Sequence, residues 1–133
     1  MFFAIALGGA IGAVLRYATS LAVVAVWGVS YQPAATILVN AVGSGVMGGC
    51  YALIGLGVAI SDPMRGLLMV GFLGALTTFS SFSMDAINIV EKGMYGVAIG
   101  YVVASVVVSL LSFALVMGIV RAIAGGIGGV DGF

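Results

Sequence analysis

Long apolar runs fill the chain, and each ends at a short cluster of turn-forming or charged residues. The first run covers about 2–29 and stops at Ser30-Tyr31-Gln32-Pro33. The second covers about 34–60 and is closed by Ser61-Asp62-Pro63. The third covers about 64–90, ahead of Glu91-Lys92-Gly93, and the fourth covers about 94–124. Gly, Pro, Asp and Ser in such clusters are turn punctuation. Every run exceeds the roughly 20 apolar residues that a helix needs to cross a bilayer. The pattern therefore predicts an all-α membrane protein with one transmembrane domain of four helices over 1–124. A Gly-rich, flexible tail is expected over 125–133.

The third run departs from the other three. Its middle reads Gly71-Phe72-Leu73-Gly74-Ala75-Leu76-Thr77-Thr78-Phe79-Ser80-Ser81-Phe82-Ser83, and five of the seven residues from Thr77 to Ser83 carry hydroxyls. Gly and Ser/Thr side chains offer the backbone alternatives to the helical ladder. At membrane depth, irregular backbone survives only where protein buries it or a wet cavity adjoins it. A third helix broken near its middle is expected, with freed carbonyls of the kind that hold ions. The alternative is an unbroken helix whose hydroxyls bond back to their own carbonyls.

Two polar stripes accompany that break. Thr36, Asn40 and Ser44 recur every four residues in the second helix, and Tyr101, Ser105 and Ser109 do so in the fourth. Residues four apart share a helix face. The stripes and the break either line a narrow path of neutral donors or glue the bundle by interhelical hydrogen bonds. Asn40 stands apart, because a mid-membrane amide is costly without partners. Arg16 lies about midway along the first run, with no acidic residue near it in sequence. It either snorkels to an interface or faces a watery vestibule, where a lone cation suits an anion path. Glycines four apart (Gly8 and Gly12, Gly45 and Gly49, Gly96 and Gly100) permit close helix contact.

Composition narrows the function classes. Only 6% of the 133 residues are charged and 63% are hydrophobic, against about a quarter charged in soluble domains. Lipid is thus the solvent. Net charge is zero, so no basic face exists for nucleic acid. There is no His, and Cys50 is the single Cys, which removes disulfides and Cys/His metal sites. No nucleophile is paired with a base, so the chain is not read as an enzyme. An even number of passes puts Arg65 and Arg121 on one side and Lys92 on the other. That bias is too small to fix an orientation, and it permits insertion both ways.

Three motifs together resemble one family. Gly8-Gly9-Ala10-Ile11-Gly12-Ala13-Val14-Leu15-Arg16-Tyr17 resembles the GGxxGAxxRY opening of the small fluoride channels, the Fluc or CrcB family. Asn40 followed by Gly43 fits that family's second helix. Residues 71–83 resemble its GFxGGxTTFSTFS signature, with Ala75 for Gly and Ser81 for Thr; beyond it Asp85 stands where Glu is frequent. The resemblance implies an antiparallel, dual-topology homodimer in the inner membrane that passes fluoride passively through two pores and so exports it from the cytoplasm. It implies that Asn40, Phe79 and Phe82 line each pore, with Thr36, Ser80, Tyr101, Ser105 and Ser109 on a polar track and Arg16 at a vestibule. It also implies a structural sodium ion at the dimer centre, bound by backbone carbonyls of Gly74 and Thr77. The chemistry suits fluoride: hydroxyl and amide donors replace its water, and phenyl edges are electropositive.

Two other readings compete. A small dual-topology, proton-coupled multidrug exporter also has four helices, but it wants a carboxylate in the first helix, and none is there. A purely structural subunit leaves the Thr/Ser/Phe cluster unexplained.

Overall fold

The computed structural model describes residues 1–128. Their regular secondary structure is all helical, and four stretches are long and apolar enough to cross a membrane. Helix α1 spans Phe2–Trp27 and ends at Gly28, whose φ of 92° favours glycine. A short 3₁₀ turn, Val29–Tyr31, leads into α2, Gln32–Gly55. Pro33 opens α2 rather than separating it from α1, since its missing N–H falls in the first turn where no helical partner is needed. α2 stops five residues before the expected Ile60. Gly57 takes φ 83° there, a conformation the spacing of apolar residues does not reveal.

The third run begins with α3, Asp62–Arg65, continues as a π-helical stretch, Gly66–Leu73, and returns to α geometry in α4, Gly74–Leu76. Thr77 and Thr78 are extended, and α5 restarts over Phe79–Glu91. The expected break is therefore present. α6 spans Tyr95–Gly128, carrying the helix past the expected boundary at Ala124. Glycine weakens a helix by only about 1 kcal/mol relative to Ala, and an apolar medium offers the backbone no competing water. The rest of the tail, 129–133, lies outside the described residues.

Packing is built on glycine. A Cβ on Gly8 would strike the Leu67 carbonyl and the Phe72 amide, and one on Gly12 would strike Phe72 and Leu76. Gly71 answers from the other side, against Ile5 and Gly9. α1 and residues 66–76 thus meet backbone to backbone. Between α2 and α6, Gly48 meets the Phe113 backbone, while Gly45 makes room for the Ser112 and Val116 side chains and Gly49 lies in ordinary contact with Val116. Gly96 and Gly100 meet nothing within 4 Å, so this pair lies on an open face. Two small cores result: Val39, Leu73 and Leu76 beside α2, and Ile89, Ala98 and Tyr101 between α5 and α6.

Candidate functional site

The break is made by side chains. Thr77 Oγ1 donates back to Leu73 O at 2.8 Å and closes α4. Thr78 caps α5, its Oγ1 accepting from Ser81 N at 3.1 Å. Asn40 reaches across from α2 and grips the Thr78 backbone twice. Its Oδ1 accepts from Thr78 N at 2.7 Å, and its Nδ2 donates to Thr78 O at 3.0 Å. A continuous helix would pair Thr78 N with Gly74 O and Ser81 N with Thr77 O. Both amides are diverted, to Asn40 and to Thr78 Oγ1. The Gly74 and Thr77 carbonyls therefore lose their helical donors. Freed carbonyls suit a hard cation such as sodium, and Gly74 sits on an exposed face.

Beside the break lies an open groove of about 400 Å³. Asn40, Thr78, Phe79, Phe82, Ser105 and Ser109 help line it, and none of its lining residues is charged. The Phe79 and Phe82 rings are 5.3 Å apart and tilted by 46°, and Phe82 in turn lies 5.6 Å from Tyr101. Phe79 is 79% exposed. Ser105 is 4% exposed, and among the described residues its Oγ has no hydrogen-bond partner. A buried hydroxyl normally has one, so an unused donor borders the groove. One N–H of Asn40 is likewise not spent on Thr78.

A second cavity, of about 280 Å³, also borders Thr78. Arg16, Tyr17, Gln32, Thr36 and Ser81 are among its walls, and no carboxylate is. Arg16 is half-buried there rather than turned outward along the helix.

The structure brings together most of the residues singled out from the sequence, though not in one place. Asn40, Phe79, Phe82, Ser105 and Ser109 border the groove, and Arg16 and Thr36 border the second cavity. Ser80 borders neither and lies 3.2 Å from Thr78 Oγ1. Tyr101 also borders neither. Its hydroxyl donates to Asp85 Oδ2 at 3.2 Å, and Thr36 Oγ1 donates to the same oxygen at 2.7 Å. Asp85 is 4% exposed, held between α2 and α6 by Thr36 and Tyr101. Sequence reasoning missed Asp85 and Thr78 as organising residues. The one available signal was a carboxylate within an apolar span, which demands partners.

Comparison with known proteins follows the same lines. The family described as "CrcB-like protein, Camphor Resistance (CrcB)" matches residues 3–119. A Saccharophagus degradans protein is 42% identical over 112 residues, covering 83% of this chain and 81% of the relative. One from Stutzerimonas stutzeri is 46% identical, covering 84% and 90%. One from Rhodospirillum centenum is 46% identical over 113 residues, covering 83% and 86%. Each of the three is called a fluoride-specific ion channel, FluC.

Proposed function

The chain belongs to the CrcB-like family, and on that premise we propose that it is a passive, fluoride-selective channel rather than an enzyme. It is a multi-pass membrane protein, and we assign it to the inner membrane, where it would let cytoplasmic fluoride leave. The observation that carries this reading is the uncharged groove, where the buried Ser105 hydroxyl has no partner and Asn40, Phe79 and Phe82 stand beside it. Fluoride gives up water only for strong donors, and a fixed cation would hold it too long to conduct. Neutral donors with phenyl edges meet both conditions.

The functional unit in this proposal is an antiparallel homodimer with two pores. Three features support a second copy: the groove is open on one side, Phe79 is exposed, and Gly96 and Gly100 lie on a bare face. The weak charge bias is compatible with insertion both ways. The broken third segments would cross at the two-fold axis, where the Gly74 and Thr77 carbonyls of both copies would hold a structural sodium ion. Bound there, sodium would add fixed positive potential near the path. Arg16 and its cavity form the vestibule. Asn40, Phe79, Phe82, Ser105 and Ser109 form the pathway, with Thr36, Ser80 and Tyr101 supporting it through Asp85 and Thr78.

Purified protein in liposomes, with fluoride and chloride efflux followed side by side, tests the reading. Rapid fluoride efflux with chloride retained is expected. Equal release of both ions, or of neither, overturns it. The exporter reading gains nothing from Asp85, whose Oδ2 already accepts from Thr36 and Tyr101 between two helices.

A further inference from the structure

Thr78 is the one residue, among those described, that borders both cavities. One is the Arg16 vestibule and the other the phenyl groove. Among the described residues the two cavities share no other wall. Resting on the fluoride-channel reading, we propose that Thr78 is the constriction between vestibule and pore and sets the channel's selectivity.

The backbone there cannot swing aside. Asn40 holds both the N–H and the C=O of Thr78. The side chain is 8% exposed, and its Oγ1 anchors α5 by accepting from Ser81 N. The same hydroxyl donates to Ser81 Oγ at 3.1 Å and lies 3.2 Å from Ser80 Oγ. Ser81 borders the vestibule, so this donor already points toward the cavity an ion would leave. A hydroxyl proton turns about its C–O bond without moving the oxygen. Thr78 can thus pass its hydrogen bond from Ser81 Oγ to fluoride and back while the cap stays formed.

The other arm of this β-branched residue is a methyl. Two heavy atoms on Cβ confine χ1, and the bonds to Ser80 and Ser81 confine it further. The methyl is therefore a fixed part of the wall. Hydroxyl and methyl have separate roles. The hydroxyl replaces water around a small anion, and the methyl keeps the gap too narrow for a larger one.

Two substitutions separate these parts. Thr78→Ser keeps the cap and the donor and removes only the methyl. Its fluoride efflux should stay within about threefold of the parent, while chloride efflux rises about tenfold, the usual worth of one methyl group in a fitted site. Thr78→Val keeps the bulk and removes the donor. Its fluoride efflux should fall by about tenfold or more, as for one lost hydrogen bond to a charged group, with chloride still retained. Thermal melting shows whether each variant folds. If Val unfolds, Ser alone decides, because its cap is intact. A Thr78→Ser protein that matches the parent for both ions overturns the proposal. Failure of the parent to pass fluoride defeats the channel reading instead, so the two outcomes are distinguishable.

Discussion

The third transmembrane segment consists of two unlike halves joined at Thr77 and Thr78. Residues 62–76 lie against α1 through glycine, with backbone close to backbone at Gly8, Gly12 and Gly71. None of the side-chain hydrogen bonds among the described residues joins those two elements. α5 is held by polar and aromatic side chains: Asn40 on Thr78, Thr36 and Tyr101 on Asp85, and Phe82 against both Phe79 and Tyr101. Lipid tails are as apolar as leucine, so burying apolar surface gives membrane helices little reason to associate. The first half gains cohesion from close van der Waals contact, which requires small residues and nothing else. The second half carries donors that must be matched, because each unpaired polar group in an apolar medium costs free energy. Unspent donors can then exist only where a ligand takes them, and both the groove and the break lie on that side.

The largest effect should come from Asn40→Asp, which attacks the polar half. Aspartate can still accept from Thr78 N but cannot donate to Thr78 O. It also puts a negative charge into a groove that has none. Repulsion of several kcal/mol is plausible in such a poorly screened path. Fluoride efflux should collapse by about a hundredfold or more, while size-exclusion chromatography still shows the assembled protein. Parental flux in Asn40→Asp would mean that the pore lies on another face.

Next in size is Asp85→Ala. It leaves the Thr36 and Tyr101 hydroxyls without their shared acceptor. A cost of about 1–3 kcal/mol is expected for stranding buried donors, measured by thermal or denaturant melting in detergent. Tyr101→Phe in the same background should recover part of that loss rather than add to it, because it removes a hydroxyl already stranded. Full additivity of the two substitutions would show that the carboxylate and the phenol do not act together.

These partnerships also mark the limit of what the sequence makes legible. Four helices, the break at Thr77 and the importance of Asn40 follow from local features: apolar length, hydroxyl density, and an amide where none is cheap. The bond from Asn40 to Thr78 spans 38 residues and that from Thr36 to Asp85 spans 49. Periodicity reports which residues share a face, not which face on another helix they meet. Tyr101 therefore reads as part of a polar stripe with Ser105 and Ser109, yet its hydroxyl serves Asp85. The end of α2 was hidden for a different reason, since Gly57 stops the helix inside a run that is otherwise apolar.

Gly12→Val attacks the other half and should act on stability alone. Its new side chain meets the Phe72 carbonyl and the Leu76 amide, which are backbone and cannot turn away. Overpacking of this kind costs about 1–3 kcal/mol. Gly96→Val, placed where nothing lies within 4 Å in the protomer, is the matching control. It should leave the fold of one chain unchanged, and any loss of dimer on size exclusion would map the partner's contact to that face. Equal melting temperatures for Gly12→Val and the parent would show that α1 is not held by close backbone approach.

The smallest effects come from single hydroxyls, and they sharpen the contrast because stability and flux should move in opposite directions. Ser105 Oγ is buried with no partner among the described residues, so Ser105→Ala removes an unmet polar group. Melting should rise slightly, by up to about 1 kcal/mol in stability. Fluoride efflux should nevertheless fall by about tenfold, since the pathway loses a donor that nothing else uses. Ser112 lies three residues beyond Ser109 and packs where a Cβ on Gly45 would be 2.6 Å from its Oγ. That is the contact between α2 and α6, and Ser112 is not among the residues lining the groove. Ser112→Ala should leave efflux within about twofold of the parent, as expected of a substitution that spares the path. A structural hydroxyl lowers stability when removed, and a conducting one lowers flux. If Ser105→Ala proved less stable and conducted normally, Ser105 would belong with the glue that holds the bundle, and the unused donor in the groove would have to be sought at Ser109.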